Sequence, residues 1–219
     1  MTTHSPPPPR PPEGLSRRAR QFVHAHGLLV PCLEVQLRRD QWLMHGIPVA
    51  EVDRVAAFQA RWGGIALPPA PVYEGGPRIL DADTPEGAAA QGWWFSVGDE
   101  RVSMAYGFMI GPGGEFGIHA ERWTPLHASI DGWVESLALA HHAALWAQSI
   151  TKITGDAVDD LDLEEYEPVR EIQGIADNWW RSEDSLIAVY RGEADCLVAP
   201  QCRTAHIYRG LDHWGLRGG

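Results

Sequence analysis

The sequence predicts an α+β domain, on three observations. Three segments carry helical apolar periodicity with capping residues, a run of short strands punctuated by glycine turns separates two of them, and further strands follow an acidic stretch. With 219 residues and 44% hydrophobic content, the chain has side chains enough for a sizeable core.

Residues 1–14, MTTHSPPPPRPPEG, show no apolar periodicity and read as a disordered, polyproline-like tail, which leaves 15–219 as the domain. From Leu15 to His26 the apolar residues fall on one helical face, with Ser16 as a cap and Gly27 as a stop. Residues 28–46 contain apolar stretches broken by Pro31, and read as one or two strands. Val52, Val55, Phe58 and Trp62 recur at helical spacing, so a helix starts near Pro48 and ends at Gly63-Gly64. After an extended LPPAP come strands at ILDAD, WWFSVG, RVSMAYGFMI (101–110) and EFGIHAE. Turns fall at Gly98–Glu100 and Gly111–Gly114, the second closing a hairpin.

SIDGWVESLALAHHAALWAQS then reads as a long helix. Ser129 is its cap, and Trp133, Val134, Leu137, Ala138, His141, Ala144, Leu145 and Gln148 form its buried face. Between Asp156 and Glu171 lie eight acids and one arginine; residues 155–171 are either a solvated linker or a charged recognition edge. IADNWWRSEDS reads as a turn or short helix, and LIAVYRG, DCLVAP and TAHIYRG, within 185–210, as strands. These strands are too few for a core of their own and are expected to extend the sheet of the same domain.

Charge narrows the choice of partner. The net charge is −11, split as +3 over 1–50, −7 over 51–150 and −7 over 151–219. Such a field either serves solubility alone or, besides repelling nucleic acid and anionic lipid, speeds encounter with a basic partner. No apolar run nears the roughly 20 residues of a membrane span, and the N-terminus lacks a secretory layout. The three cysteines, Cys32, Cys196 and Cys202, form no disulfide scaffold. A cytoplasmic protein is expected. One lysine against seventeen arginines suits a GC-rich genome.

Catalytic patterns are scarce. There is no phosphate loop, no GxSxG elbow, no HExxH and no paired CxxC. Cys196, Cys202 and His206 could meet only if Ala199-Pro200 turns. Glu135 and His142 share a helical face but need a third ligand, from His119 or His127, and His141 reads as a core histidine. We therefore expect no catalytic residue, no metal and no cofactor. Of ten tryptophans, the adjacent Trp179 and Trp180 are the candidate interface anchors.

The order of WGG, LPP, GPGGEF and SIDGWVESLAL resembles the SUKH superfamily, which includes a yeast cell-wall regulatory protein and many bacterial immunity proteins. The matching positions are Phe58, Trp62, Gly63, Gly64, Leu67 and Pro68, then Gly111, Pro112, Gly114 and Glu115, then Ser129, Trp133, Glu135 and Leu137. The likeness covers a core of 49–148. It implies a mixed or mainly antiparallel sheet flanked by helices, serving as a protein-binding scaffold. It also implies an antidote that occludes a cognate toxin, often a nuclease. The contact residues would then be Asp156, Asp159, Asp160, Asp162, Glu164 and Glu165 with Trp179 and Trp180, facing a basic protein. A regulatory protein of the same fold without a toxin is the alternative, and a metal-dependent enzyme the third.

Overall fold

The computed structural model of the protein describes residues 8–98 and 105–217. Residues 1–7 of the tail, 99–100 of the first turn and 101–104 of the strand expected at 101–110 lie outside them. The described end of the tail is not loose: Pro9 and Pro12 are buried, and Pro9 packs at Gly27.

In chain order the elements are α1 (Arg17–His26), β1 (Leu28–Leu29), α2 (Val35–Met44), α3 (Val49–Trp62), β2 (Ile65–Ala66) and β3 (Ile79–Leu80). Next come β4 (Glu86–Ala88), β5 (Gly92–Ser96), β6 (Gly107–Ile110), β7 (Phe116–His119), β8 (Trp123–His127) and α4 (Ile130–Trp146). The chain ends with β9 (Ser149–Thr154), β10 (Glu167–Pro168), β11 (Asp177–Arg181), β12 (Ser185–Tyr190), α5 (Gly192–Cys196), β13 (Thr204–Arg209) and α6 (His213–Arg217). This is an α+β single domain of antiparallel sheets and helices, as the sequence predicts.

Local chemistry sets the helix ends. Ser16 Oγ accepts from the Ala19 N–H and Gly27 closes α1; Ser129 caps α4 in the same way. At the end of α3 the left-handed residue is Gly64 (φ +76), whose missing Cβ would stand 2.4 Å from the Val30 carbonyl oxygen. Residues 35–44, expected in strands, form α2 instead, because tertiary packing of Val35 and Trp42 overrides an ambiguous apolar period.

Helix α4 is the axis of the molecule. Every residue from Gly132 to Ala140 is buried, so the expected one-sided apolar stripe is an all-round buried core helix. Ala144 and Leu145, placed on the buried face by periodicity, lie instead past the end of that enclosed section and are exposed. Gly132 allows the turn at 170–172 to pass close, since a Cβ there would meet the Ile172 carbonyl at 2.4 Å. Glu135 holds α1: its carboxylate accepts from Ser16 N–H (2.5 Å) and Ser16 Oγ (2.7 Å) and pairs with buried Arg18.

Two five-stranded antiparallel sheets use this helix. The first runs β4-β5-β6-β7-β8 in sequence order, a meander whose Phe108 and Phe116 pack on Trp133 of α4. The second runs β10-β11-β12-β13-β9. The C-terminal strands thus extend the β structure as a second sheet, joined to the first by the bridge His127–Gly174 rather than continuing its ladder. Trp179 and Tyr208 of this sheet face α4. A small third sheet, β1-β2-β3, ties α1 and α3 to the meander. IADNWW contributes strand β11, not a turn, and DCLVAP forms α5 and a 3-10 turn, not a strand.

Candidate partner-binding surface

Topology decides what residues 155–168 must do. β9 and β10 are consecutive strands at opposite edges of the second sheet, about 19 Å apart at strand spacing. The chain between them crosses the sheet's outer face. Of the two things foreseen for it, a solvated linker or a charged recognition edge, the packing replaces the free linker with a strap.

The strap follows a simple amphipathic pattern. Val158 is buried against Ile187, Val189, Ala205 and Ile207, and Leu161, Leu163 and Tyr166 pack partly onto the same cluster. The acids between them, Asp156, Asp159, Asp160, Asp162, Glu164 and Glu165, all point to solvent. Burial of one side and hydration of the other is what an interleaved Asp-Leu-Asp-Leu run permits.

Not all of these acids are available. Asp159 pairs with Arg191 (3.0 Å) and with Arg203, and Asp156 sits 3.5 Å from Arg203. Among the described residues no ion pair reaches Asp160, Asp162, Glu164 or Glu165. The strap's acidic side continues into a cleft of about 370 Å³ lined by Glu165, Glu167, Arg181, Ser182, Glu183 and His213. Three carboxylates against one guanidinium give that cleft an acidic character.

The two candidate tryptophans part company. Trp180 lies half-buried on the outer face, packed on the same apolar cluster that backs the strap. Trp179 cannot serve as an interface anchor. It is 1% exposed, stacks on Tyr208 at 5.7 Å and donates from Nε1 to Ser136 Oγ at 2.9 Å, because alternate strand residues face opposite sides and its side is α4. The exposed tryptophans are Trp146 and Trp214, 50% and 48% accessible, which periodicity did not single out because each stands at a helix end.

The metal-ligand candidates do not converge; among the described residues no group of three His, Cys, Asp or Glu could hold an ion. Cys196 is buried and donates to the Arg122 carbonyl, with burial pushing its thiol up. His206 faces inward between Tyr190 and Tyr208. Glu135 belongs to Ser16 and Arg18, whereas His142 Nε2 lies 3.0 Å from the Trp214 carbonyl. His119 is exposed on β7, and His141 is half-buried against Phe22 and His26.

Two other buried polar groups sit at the seam between the sheets. His127 is fully enclosed, its Nδ1 3.1 Å from the Ile172 carbonyl, and burial lowers its pKa to about 4. Asp177 accepts from Tyr73 Oη (2.6 Å) and from the Arg191 and Gly192 N–H groups; burial, opposed by those donors, raises it to about 7. Both groups are enclosed where the two sheets meet, and their hydrogen bonds tie β8 to the 170–172 turn and β11 to Tyr73.

No helix among the described residues is long and apolar enough to cross a membrane. Comparison of the chain with family models, curated proteins and solved structures returns no significant match.

Proposed function

We propose that the protein is a protein-binding module of the SUKH type, acting in the cytoplasm as an immunity protein that neutralises a basic toxin, a nuclease being the chemistry best matched, by occlusion. The observation that supports this reading is the strap: four carboxylates that no ion pair reaches among the described residues, carried on an apolar backing and leading into an acidic cleft. A nuclease presents cations where it grips phosphate, and a fixed row of carboxylates can occupy that site in place of the nucleic acid. The backing matters because charges on a packed segment lose less entropy on docking than charges on a free tail. Trp180, beside the strap, supplies an apolar contact within the same surface.

The test is binding between the full chain and the product of the neighbouring gene, measured by calorimetry at several salt concentrations. Tight binding that weakens as salt rises is expected, as is a loss of tenfold or more on changing Asp160, Asp162, Glu164 and Glu165 together to Lys. Circular dichroism should show the variant folded. If that variant bound as tightly as the parent, with the same salt dependence, the strap would not be the contact surface. Failure of the neighbouring product to bind at all would remove the immunity reading.

A further inference from the structure

The second sheet has one edge that differs from the other edges of the two large sheets. β10 is two residues long and ends in Pro168, β4 spans three residues around Gly87, and β8 carries Pro125. Such features blunt an edge against further pairing. β9, SITKIT, has none of them: it runs six residues without Pro or Gly, pairs in unbroken register with β13, and is exposed at five positions. Among the described residues no strand pairs with its outer side.

The hydrogen-bond phase of that edge can be read from one bond. Continuing the register past Thr154–Thr204 sets Gly155 opposite Arg203, and the Gly155 N–H donates to the Arg203 carbonyl at 2.9 Å. Bonded and open pairs alternate along an antiparallel ladder. Ser149, Thr151 and Ile153 therefore bond toward β13, and the N–H and C=O groups of Ile150, Lys152 and Thr154 point out of the sheet. Leu145, Trp146 and Trp214 line one groove at the end of α4, and Ile150 follows Trp146 by four residues, each of the four about half exposed or more. No carboxylate is among these residues or in β9, although the chain carries 29 acids.

We propose that β9 pairs antiparallel with β9 of a second copy, about a two-fold axis through Thr151, to make one sheet continuous across a dimer. A two-fold perpendicular to the sheet keeps inner faces together, so opposite residues must share parity. With the axis at Thr151, Ile150 stands opposite Lys152 of the second copy, and both present outward N–H and C=O groups, so they exchange main-chain hydrogen bonds. The lysine's alkyl stem lies along isoleucine, and no like charges meet. An axis at Lys152 would set two ammonium groups face to face. The contact is self-complementary, as an isologous dimer requires, and it gathers Trp146 and Trp214 of both copies near its core. Its salt dependence is opposite to that of a basic partner on the strap: two chains of charge −11 repel, so added salt strengthens the dimer.

Sedimentation of the full chain from micromolar to near-millimolar concentration tests this. A concentration-dependent dimer that tightens with salt is expected. Ile150→Lys should weaken it at least tenfold by facing Lys152 of the second copy, whereas Ile150→Glu, equally polar, should retain it through an opposite-charge pair. Lys152→Pro removes an outward N–H without touching the bonds to β13, and should leave a folded monomer. A chain that stays monomeric throughout leaves the edge to a strand of some other protein and overturns the proposal. So would Ile150→Lys and Ile150→Glu variants that associate alike.

Discussion

The two five-stranded sheets share one helix but are built in opposite ways. The first is a meander, each strand beside its neighbour in sequence, with burial that alternates along β6. The second begins at one edge, crosses its own outer face and resumes at the other, and its central strand β12 is buried at all six positions. Local connection leaves one face of a sheet in contact with water; a crossing strap covers it. The strap therefore does two things at once, closing a small outer core and fixing a row of acids.

The largest expected effect tests whether the sheets form one cooperative unit. Trp179→Ala removes an indole that stacks on Tyr208 and donates to Ser136 of α4, which should cost about 3–5 kcal/mol. Because Trp133, on the same helix, carries the core of the meander, both sheets should unfold in a single transition at lower urea. Two separated transitions, one unshifted, would mean that the sheets are independent domains.

The seam between the sheets gives the next effect, through pH. His127, lowered from 6.5 to about 4, binds its proton less readily folded than unfolded, so its neutral form adds stability above pH 6.5 that is lost as pH falls toward 4. Asp177, raised from 3.8 to about 7, does the reverse: its protonated form favours the fold at low pH, and that contribution is lost as pH rises through 7. Over the shared window the two oppose each other, and the parent chain should show a shallow dependence. Asp177→Asn should unmask a loss of roughly 3 kcal/mol on acidification from pH 6.5 to 4. His127→Gln should leave stability that declines as pH rises. Urea titrations across that range distinguish the three curves; identical slopes would show that neither group titrates differently in the fold.

Legibility followed the same division. Ser16, Gly27, Ser129 and the Gly63-Gly64 pair act through backbone geometry within a few residues, so both ends of α1, the end of α3 and the start of α4 could be read directly. The hairpin around Gly111–Gly114 was legible for the same reason. β11 was not: Asp177 looks like a turn residue, and it starts a buried strand because Tyr73, 104 positions away, and two backbone N–H groups satisfy it. The candidate site was half legible. Its acids lie where charge placed them, but the Leu161, Leu163 and Tyr166 backing that makes them a surface depends on β9 and β10 taking opposite edges. Trp179 was misassigned because strand parity cannot be set before the strand is recognised.

The smallest effect separates the two duties of the strap. Leu163→Ser takes a half-buried side chain from the outer core and should cost about 1–2 kcal/mol, with faster hydrogen exchange across the β12–β13 ladder. Asp159→Asn breaks pairs with Arg191 and Arg203 at a carboxylate that is nearly half exposed, and should cost below about 1 kcal/mol with exchange unchanged. If Asp159→Asn destabilised the sheet as much as Leu163→Ser, the ion pairs would be holding the strap and its acids would have a structural purpose. If it does not, the fold gains almost nothing from carrying so many carboxylates on one crossing. The strap's leucines would then hold the fold, and its carboxylates would set only the charge of the surface that those leucines fix.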